Sequence, residues 1–306
     1  MALIDRWAAW RGWKVDWSPE AAMPLERDWT YTRSRIGHYT RYLRARALLR
    51  RGRFPLAATL KPVFPAARWN LYFLYLPDGE LHDAHRYTID RLRWGDARLL
   101  LVVASPDPAA AERLLAMADA VVWKGMAGFD FSAYALGIDA VARHSPGAAL
   151  FVMNDSVFGP FGDLDAVLAD APWALTGFTA SKRIENHIQS YAFFLREVTP
   201  VVARALRPVL WVGLAYDRYG EVVYAQETRL ARIAARRMSV GAFWYSDHPL
   251  GDPTLYSALA MMDQGYPFLK RKLLVRHDDM YPRATLLKLL RDHGHPLPPP
   301  APPTHP

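Results

Sequence analysis

The sequence predicts an α/β fold, a mainly parallel sheet flanked by helices behind an N-terminal helical extension, and three observations carry that reading. From Trp69 onward short apolar runs alternate with helical stretches, the pattern of strands joined by crossover helices. The first sixty residues differ in texture, with Trp7, Trp10, Trp13 and Trp17 spaced three, three and four apart and arginines crowded after them. With 306 residues, 51% of them hydrophobic and 22% charged, the chain can bury one large core or two modest ones, which excludes disordered, collagen-like and fibrous classes.

The tryptophan spacing places four indoles along one face of a helix, read as a core or docking face. Asp28 is a candidate N-cap, after which Ile36, Tyr39, Leu43 and Ala47 recur at helical spacing with arginines on other faces and Gly52 as a stop. Residues 29–51 therefore read as a basic amphipathic helix. Strands are expected at 70–76, 98–104, 118–123, 148–153 and 173–176, and helices at 81–94, 107–117, 131–144 and 163–169. Further on come a helix over 184–197, a polar strand region over 209–224 and a helix over 227–238. Seven prolines in the last eleven residues make 296–306 an extended or disordered tail. The expected division is 1–66 as the basic helical extension, 67–295 as the functional domain and 296–306 as the tail.

Composition narrows the function. The net charge of +8 is local: Arg33 to Arg53 holds eight arginines and no acid, and outside it 30 basic residues equal 30 acidic ones. A whole-surface field that tracks a nucleic-acid backbone is not present, so nucleic acid is an unlikely partner. The absence of cysteine excludes disulfide frameworks and thiolate metal sites, and a reducing cytoplasm fits best. The start carries Asp5 and no apolar run of signal-peptide type, and no segment approaches the ~20 apolar residues a membrane span requires.

Four segments carry polar side chains where chemistry is expected. The apolar run Ala149 to Met153 ends abruptly in Asn154, Asp155 and Ser156, and in open α/β sheets ligands gather beyond the carboxyl ends of strands. The same three residues before Gly159-Pro160 are also ordinary turn chemistry. Gly128 allows close backbone approach, and Asp130 stands where a helix cap or an acceptor for sugar hydroxyls would stand. Thr179, His187, Gln189, Ser190 and Tyr191 supply neutral hydrogen-bonding groups and an aromatic face of the kind polyhydroxylated ligands call for. Gln226-Glu227 opens the 227–238 helix, where a carboxylate caps its own helix or serves as a base.

In order along the chain, these segments resemble the rhamnan synthesis protein F family of bacterial polysaccharide glycosyltransferases. Gly128-Phe-Asp-Phe-Ser-Ala-Tyr-Ala-Leu-Gly137 is similar to one family segment and Phe151-Val-Met-Asn-Asp-Ser-Val-Phe-Gly-Pro160 to its most specific one. Thr176-Gly-Phe-Thr with His187-Ile-Gln-Ser-Tyr191, and Pro267-Phe-Leu-Lys-Arg271, are similar to two more. The resemblance implies a GT-A-like, mainly parallel Rossmann-like fold and transfer of a deoxysugar, typically L-rhamnose, from a nucleotide diphosphate donor to a growing surface glycan or lipopolysaccharide. It implies Glu227 and Asp155 as catalytic residues, and Gly128, Asp130, Asn154, Asp155, Ser156, Lys270 and Arg271 on the donor side. Thr179, His187, Gln189, Ser190 and Tyr191 would line the sugar and acceptor side. A divalent Mg²⁺ or Mn²⁺ would be expected against the diphosphate with Asp155 as its ligand, but Asn154-Asp155-Ser156 departs from an Asp-x-Asp motif. Without a metal, Lys270 and Arg271 are the candidates for neutralising the diphosphate.

The missing second aspartate leaves an alternative, a catalytically inactive glycan-binding or scaffolding protein of the same assembly. For a lipid-linked acceptor, the Arg33 to Arg53 segment would hold the enzyme at an anionic membrane surface, on the cytoplasmic face, and a domain-packing helix is the competing account.

Overall fold

The computed structural model describes residues 25–93, 95–246 and 251–297. The tryptophan face at 7–17 and residues 298–306 of the proline-rich tail lie outside the described residues.

Twelve strands run in chain order as β1 (Glu26–Thr30), β2 (Ala57–Lys61), β3 (Arg68–Tyr75), β4 (Arg98–Ala104), β5 (Ala120–Lys124), β6 (Ala148–Asn154), β7 (Val157–Phe158), β8 (Leu175–Ser181), β9 (His187–Ile188), β10 (Ala192–Val198), β11 (Val240–Ser246) and β12 (Leu269–Lys270). Ten of them form one mixed sheet, in the order β1-β11-β8-β10-β6-β3-β4-β5-β2 with β9 beside β8, while β7 and β12 pair separately. Its centre, β6-β3-β4-β5, is parallel. Helices α1 (His38–Leu49), α2 (Asp83–Leu92), α3 (Pro108–Glu112), α4 (Phe129–His144), α5 (Leu164–Ala169) and α6 (Pro200–Leu206) precede a helix in three parts. Its parts are α7 (Tyr219–Val222), a π-helical turn (Val223–Glu227) and α8 (Thr228–Ala234). Short helices α9 (Pro253–Tyr256) and α10 (Ala258–Asp263) and the longer α11 (Arg283–Asp292) complete the fold.

Alternation along the central strands sorts side chains onto two faces. Leu71, Leu100, Val102, Leu150 and Val152 pack with Tyr134, Ile138 and Val141 of α4 and with Leu230 and Ile233 of α8. Tyr72, Leu74, Leu101, Val103, Phe151 and Met153 face the other way, onto Ile89 and Leu92 of α2 and onto Phe178, Phe243 and Phe268. Helix α4 lies close against the sheet because Gly137 has no side chain, and a Cβ there would stand 2.0 Å from Leu71 Cδ1. The chain runs from β3 through α2 to β4, and after β5 returns through α4 to β6 on the opposite side of β3. The order thus reverses between β3 and β6, where an open α/β sheet leaves a crevice at its carboxyl end.

Four expectations are corrected. The 29–51 helix begins only at His38, and Asp28 is no cap: it lies within β1 at φ 54°, and Trp29 stacks on Tyr245 of β11 at 4.7 Å between ring centroids. Residues 184–197 form β9 and β10, because the run Ala192-Phe193-Phe194-Leu195 is buried on both faces between β6 and β8, whereas a surface helix buries one stripe. Residues 209–224 are a loop leading into α7, with Gly213 at φ +111°, a conformation strand residues do not adopt. The described part of the expected 1–66 extension, residues 25–66, is not purely helical and belongs to the sheet, since β1 pairs with β11 at one edge and β2 with β5 at the other.

Candidate functional site

A cleft of about 570 Å³ opens over the carboxyl ends of β3, β5 and β6, at the point where the strand order reverses. Each strand delivers its last polar residues there. Strand β6 ends in Asn154, whose Nδ2 donates to Asp130 Oδ2 at 3.0 Å and whose Oδ1 accepts from the Ser156 amide (3.1 Å) and hydroxyl (2.6 Å). The asparagine carbonyl and amide thus join two segments 24 residues apart. Gly128 occupies the cap position of α4 at φ +71°, and its N–H donates to Asp217 Oδ1 at 3.1 Å. Asp130 is in the first turn of α4, where the helix dipole favours a carboxylate, and its Oδ1 accepts from Phe131 N–H. Burial, and after it the neighbouring Glu227 carboxylate, pushes the Asp130 carboxyl up to about 6.

Glu227 comes from the other wall. It was expected at a helix head, but it ends the π-helical turn midway along the 219–234 helix. There the Thr228 N–H bonds the Val223 carbonyl five residues back, and the extra residue in that turn re-aims the side chain. Glu227 Oε1 accepts from the Ser190 amide at 3.1 Å and hydroxyl at 2.9 Å. No described residue hydrogen-bonds its second oxygen, and Glu227 lines the cleft.

Two buried lysines face these carboxylates. Lys270 Nζ lies 3.9 Å from the centre of the Tyr191 ring and donates to Ser156 Oγ at 3.3 Å. Lys124, the last residue of β5, donates to the Ala127 carbonyl at 3.0 Å. Burial pulls each ammonium down to about 8, with nearby carboxylates opposing: Asp252 first for Lys270, Asp130 and Asp217 for Lys124. Lys272 lies further out along the same wall.

Of the expected site residues, Gly128, Asp130, Asn154, Asp155, Ser156, Ser190, Tyr191, Glu227 and Lys270 line this one cleft. Thr179, His187, Gln189 and Arg271 do not, and their placement is corrected. Thr179 and Gln189 lie beneath Tyr191 in a buried chain, in which Thr179 Oγ1 meets Gln189 Oε1 at 2.6 Å and Tyr191 OH at 2.9 Å, and Tyr191 OH meets Tyr266 OH at 2.5 Å. They brace the ring under Lys270. His187 is buried with Nδ1 on the Glu185 carbonyl at 2.7 Å. Arg271 comes just after β12, at the start of a 3₁₀ turn (Arg271–Leu274), and its guanidinium lies over the Phe158 ring at 5.0 Å.

Asp155 lines the cleft, but its Oδ2 accepts from Tyr75 N–H at 3.1 Å and lies 3.9 Å from His85 Nε2. Burial raises its carboxyl above the ordinary range, with Arg271 opposing. Among the described residues no group of three or more His, Cys, Asp or Glu is placed to hold a metal ion. At Asp155 one carboxylate oxygen is engaged by a backbone amide, so an ion held there would draw most of its remaining oxygens from substrate phosphates and water.

Lys124, Asp217 and Tyr219 escaped the sequence reading. A lysine ending the apolar run Ala120-Val-Val-Trp123 was a usable signal, since a buried strand needs no charge for packing. Asp217 and Tyr219 reach the cleft from a loop some ninety residues after Gly128, and nothing local marks them.

A family model described as Rhamnan synthesis protein F matches residues 101–295. No curated protein matches the chain. Among solved structures, an inositol-1-phosphate CTP transferase from T. maritima aligns at 14% identity and TM-score 0.37, over 66% of this chain and 99% of its own. A 4-diphosphocytidyl-2C-methyl-D-erythritolsynthase from Anaerococcus prevotii DSM 20548 aligns at 12% identity and TM-score 0.36, over 64% and 97%. Likeness at those scores decides nothing about activity.

Proposed function

The chain belongs to the rhamnan synthesis protein F family, and on that premise we propose that it is an inverting glycosyltransferase, moving a deoxysugar such as L-rhamnose from a nucleoside diphosphate donor to a growing surface glycan. The observation that carries this reading is the pairing, across one cleft, of a carboxylate held by a single oxygen (Glu227) with a buried cation (Lys270). Glycosyl transfer needs both: a base for the acceptor hydroxyl and a positive counterpart for the departing diphosphate.

The donor diphosphate lies against Lys270, Ser156 and Lys124, whose charges in a poorly solvated wall act more strongly than they would in water. Exposed rings of Tyr75, Phe129 and Tyr219 offer faces for the nucleobase or a sugar ring, and Asp130 offers an acceptor for ribose hydroxyls. The Ser190 amide and hydroxyl fix Glu227 so that its other oxygen receives the acceptor proton. The acceptor oxygen then bonds to the sugar's anomeric carbon as the bond from that carbon to the diphosphate oxygen breaks. The electron pair leaves with the nucleoside diphosphate. No step is assigned to a metal ion.

The test is a panel of nucleotide sugars incubated with the full chain and with Glu227→Gln. Donor turnover that falls at least about a hundredfold in the variant, with nucleoside diphosphate affinity retained, supports the enzyme. Absence of turnover with every donor, together with glycan binding, would replace it with the glycan-binding scaffold.

A further inference from the structure

A second pocket, remote in character from the cleft, is built almost entirely of arginine. It has a volume of about 350 Å³ and is lined by Arg33, Ser34, Arg35, Ile36, Arg41 and Arg232. Among the described residues, four guanidinium groups and no carboxylate border it. The nearest acid is the buried Glu185, and it is already shared: Oε1 pairs with Arg44 and Oε2 lies 3.9 Å from Arg232. Arg232 Nε and Arg44 Nη1 are buried without a hydrogen-bond partner among the described residues. Burial pulls both Arg44 and Arg229 below the ordinary guanidinium range, and Arg232 adds to the effect at each. Positive charge is thus concentrated here beyond what acids among the described residues neutralise, which is the electrostatic complement of an anion.

The adjoining helix shows where that anion comes from. At about 100° per residue, the exposed residues of α1 form one half of its circumference. Its middle carries His38, Tyr42, Ala45 and Leu49, with Arg41 on one flank and Arg46, Arg50 and Tyr39 on the other. Tyr39 and Tyr42 are 73% and 58% exposed and Leu49 is 86% exposed. The opposite face is docked: Arg44 and Ala47 are buried, and Arg44 bonds Glu185, Thr228 and the Tyr224 carbonyl. The short apolar strip of Tyr42, Ala45 and Leu49, flanked by arginines, fits a helix lying at a lipid interface, where the strip meets the acyl boundary and the arginines reach headgroup phosphates. A soluble phosphate would account for the pocket but not for the strip beside it.

The geometry points to a membrane-docking surface made of the exposed face of α1 and the Arg33–Arg35–Arg41–Arg232 pocket, in which the pocket holds the phosphate of an anionic lipid headgroup. This site is independent of the donor cleft and stands whether or not the glycosyl-transfer reading does. No helix among the described residues is long and apolar enough to cross a membrane, so such a surface acts by peripheral contact.

Sedimentation of the full chain with vesicles of phosphatidylcholine alone, and of phosphatidylcholine mixed with phosphatidylglycerol, tests it. The anionic vesicles should retain the protein and the neutral ones should not. Each arginine near an anionic leaflet is worth about fivefold in partitioning. Arg33→Gln with Arg41→Gln should therefore weaken retention at least about tenfold. Tyr42→Ser with Leu49→Ser should remove the part that survives high salt. These side chains are exposed, and an unchanged circular dichroism spectrum confirms that the variants fold. Equal retention on both vesicles, or retention indifferent to both pairs of substitutions, overturns the proposal. So does inorganic phosphate that binds the full chain, is lost with Arg33→Gln and Arg41→Gln, and leaves vesicle retention absent, because the pocket is then a site for soluble phosphate.

Discussion

Lys270 is charged in a place where burial works against its charge, and this makes the cleft sensitive to mildly alkaline pH. With its ammonium pulled down to about 8, the positive charge is present below that pH and lost above it, and Lys124 behaves alike. Affinity for a nucleoside diphosphate should therefore fall as pH rises through about 8, measured by calorimetry. Lys270→Met should weaken binding at pH 7 about tenfold, as loss of a charged hydrogen bond does, and flatten the profile. Its thermal midpoint at pH 7 should rise, because a buried charge is removed. Asp130 works in the opposite sense. Its carboxyl is raised to about 6, so its neutral form contributes stability that is complete below about 4 and lost as pH rises through 6. Asp130→Asn keeps an acceptor for Phe131 N–H but turns an amide toward Asn154 Nδ2, so its thermal midpoint relative to the unsubstituted chain should be more favourable at pH 7.5 than at pH 4.5. Several of these residues were legible because polar side chains ended an apolar strand, as Asn154 does. Others were not, because a role such as that of Gln189 depends on which side of Tyr191 it lies, and one residue of strand register decides that.

At the scale of elements, the π-helical turn Val223–Glu227 positions the Glu227 carboxylate. The Thr228 hydroxyl bonds the Val223 carbonyl at 3.0 Å and accepts from Arg44 at 3.1 Å, so the irregular turn is tied to the docked α1. Deleting Ala225 should restore a regular helix and rotate Glu227 about 100° relative to α7. Donor turnover should then fall about as far as in Glu227→Gln, with helix content by circular dichroism unchanged; retained turnover would show that the turn does not aim the carboxylate. Sequence patterning found the segments of β3, β4, β6 and α4 because each buries apolar side chains at the period of its own structure. It misread β10, where both faces are buried and no period survives. It also misread the start of the 29–51 helix, where Trp29 and Thr30 end an edge strand and residues 31–37 are irregular.

For the whole molecule, the chain's first third closes the sheet from both sides. Strand β1 covers the edge of β11 and β2 covers the edge of β5. A truncated chain beginning at residue 67 should therefore be aggregation-prone or unfolded, since it exposes two long sheet edges at once. A soluble, cooperatively melting product would show instead that the chain from residue 67 folds alone.

The sequence by itself determined the α/β class, the local origin of the positive charge, the family resemblance and the strand end that carries Asn154, Asp155 and Ser156. All of these are written in short-range pattern and composition. Only the tertiary structure decided that β1 and β2 belong to the sheet, that Glu227 faces Lys270 while Arg271 turns away, that Asp155 accepts from the Tyr75 amide, and that Arg44 docks its helix while Arg41 stays exposed. The physical reason is that a side chain's charge, burial and partners are set by residues far away in the chain, and spacing along one segment does not encode them.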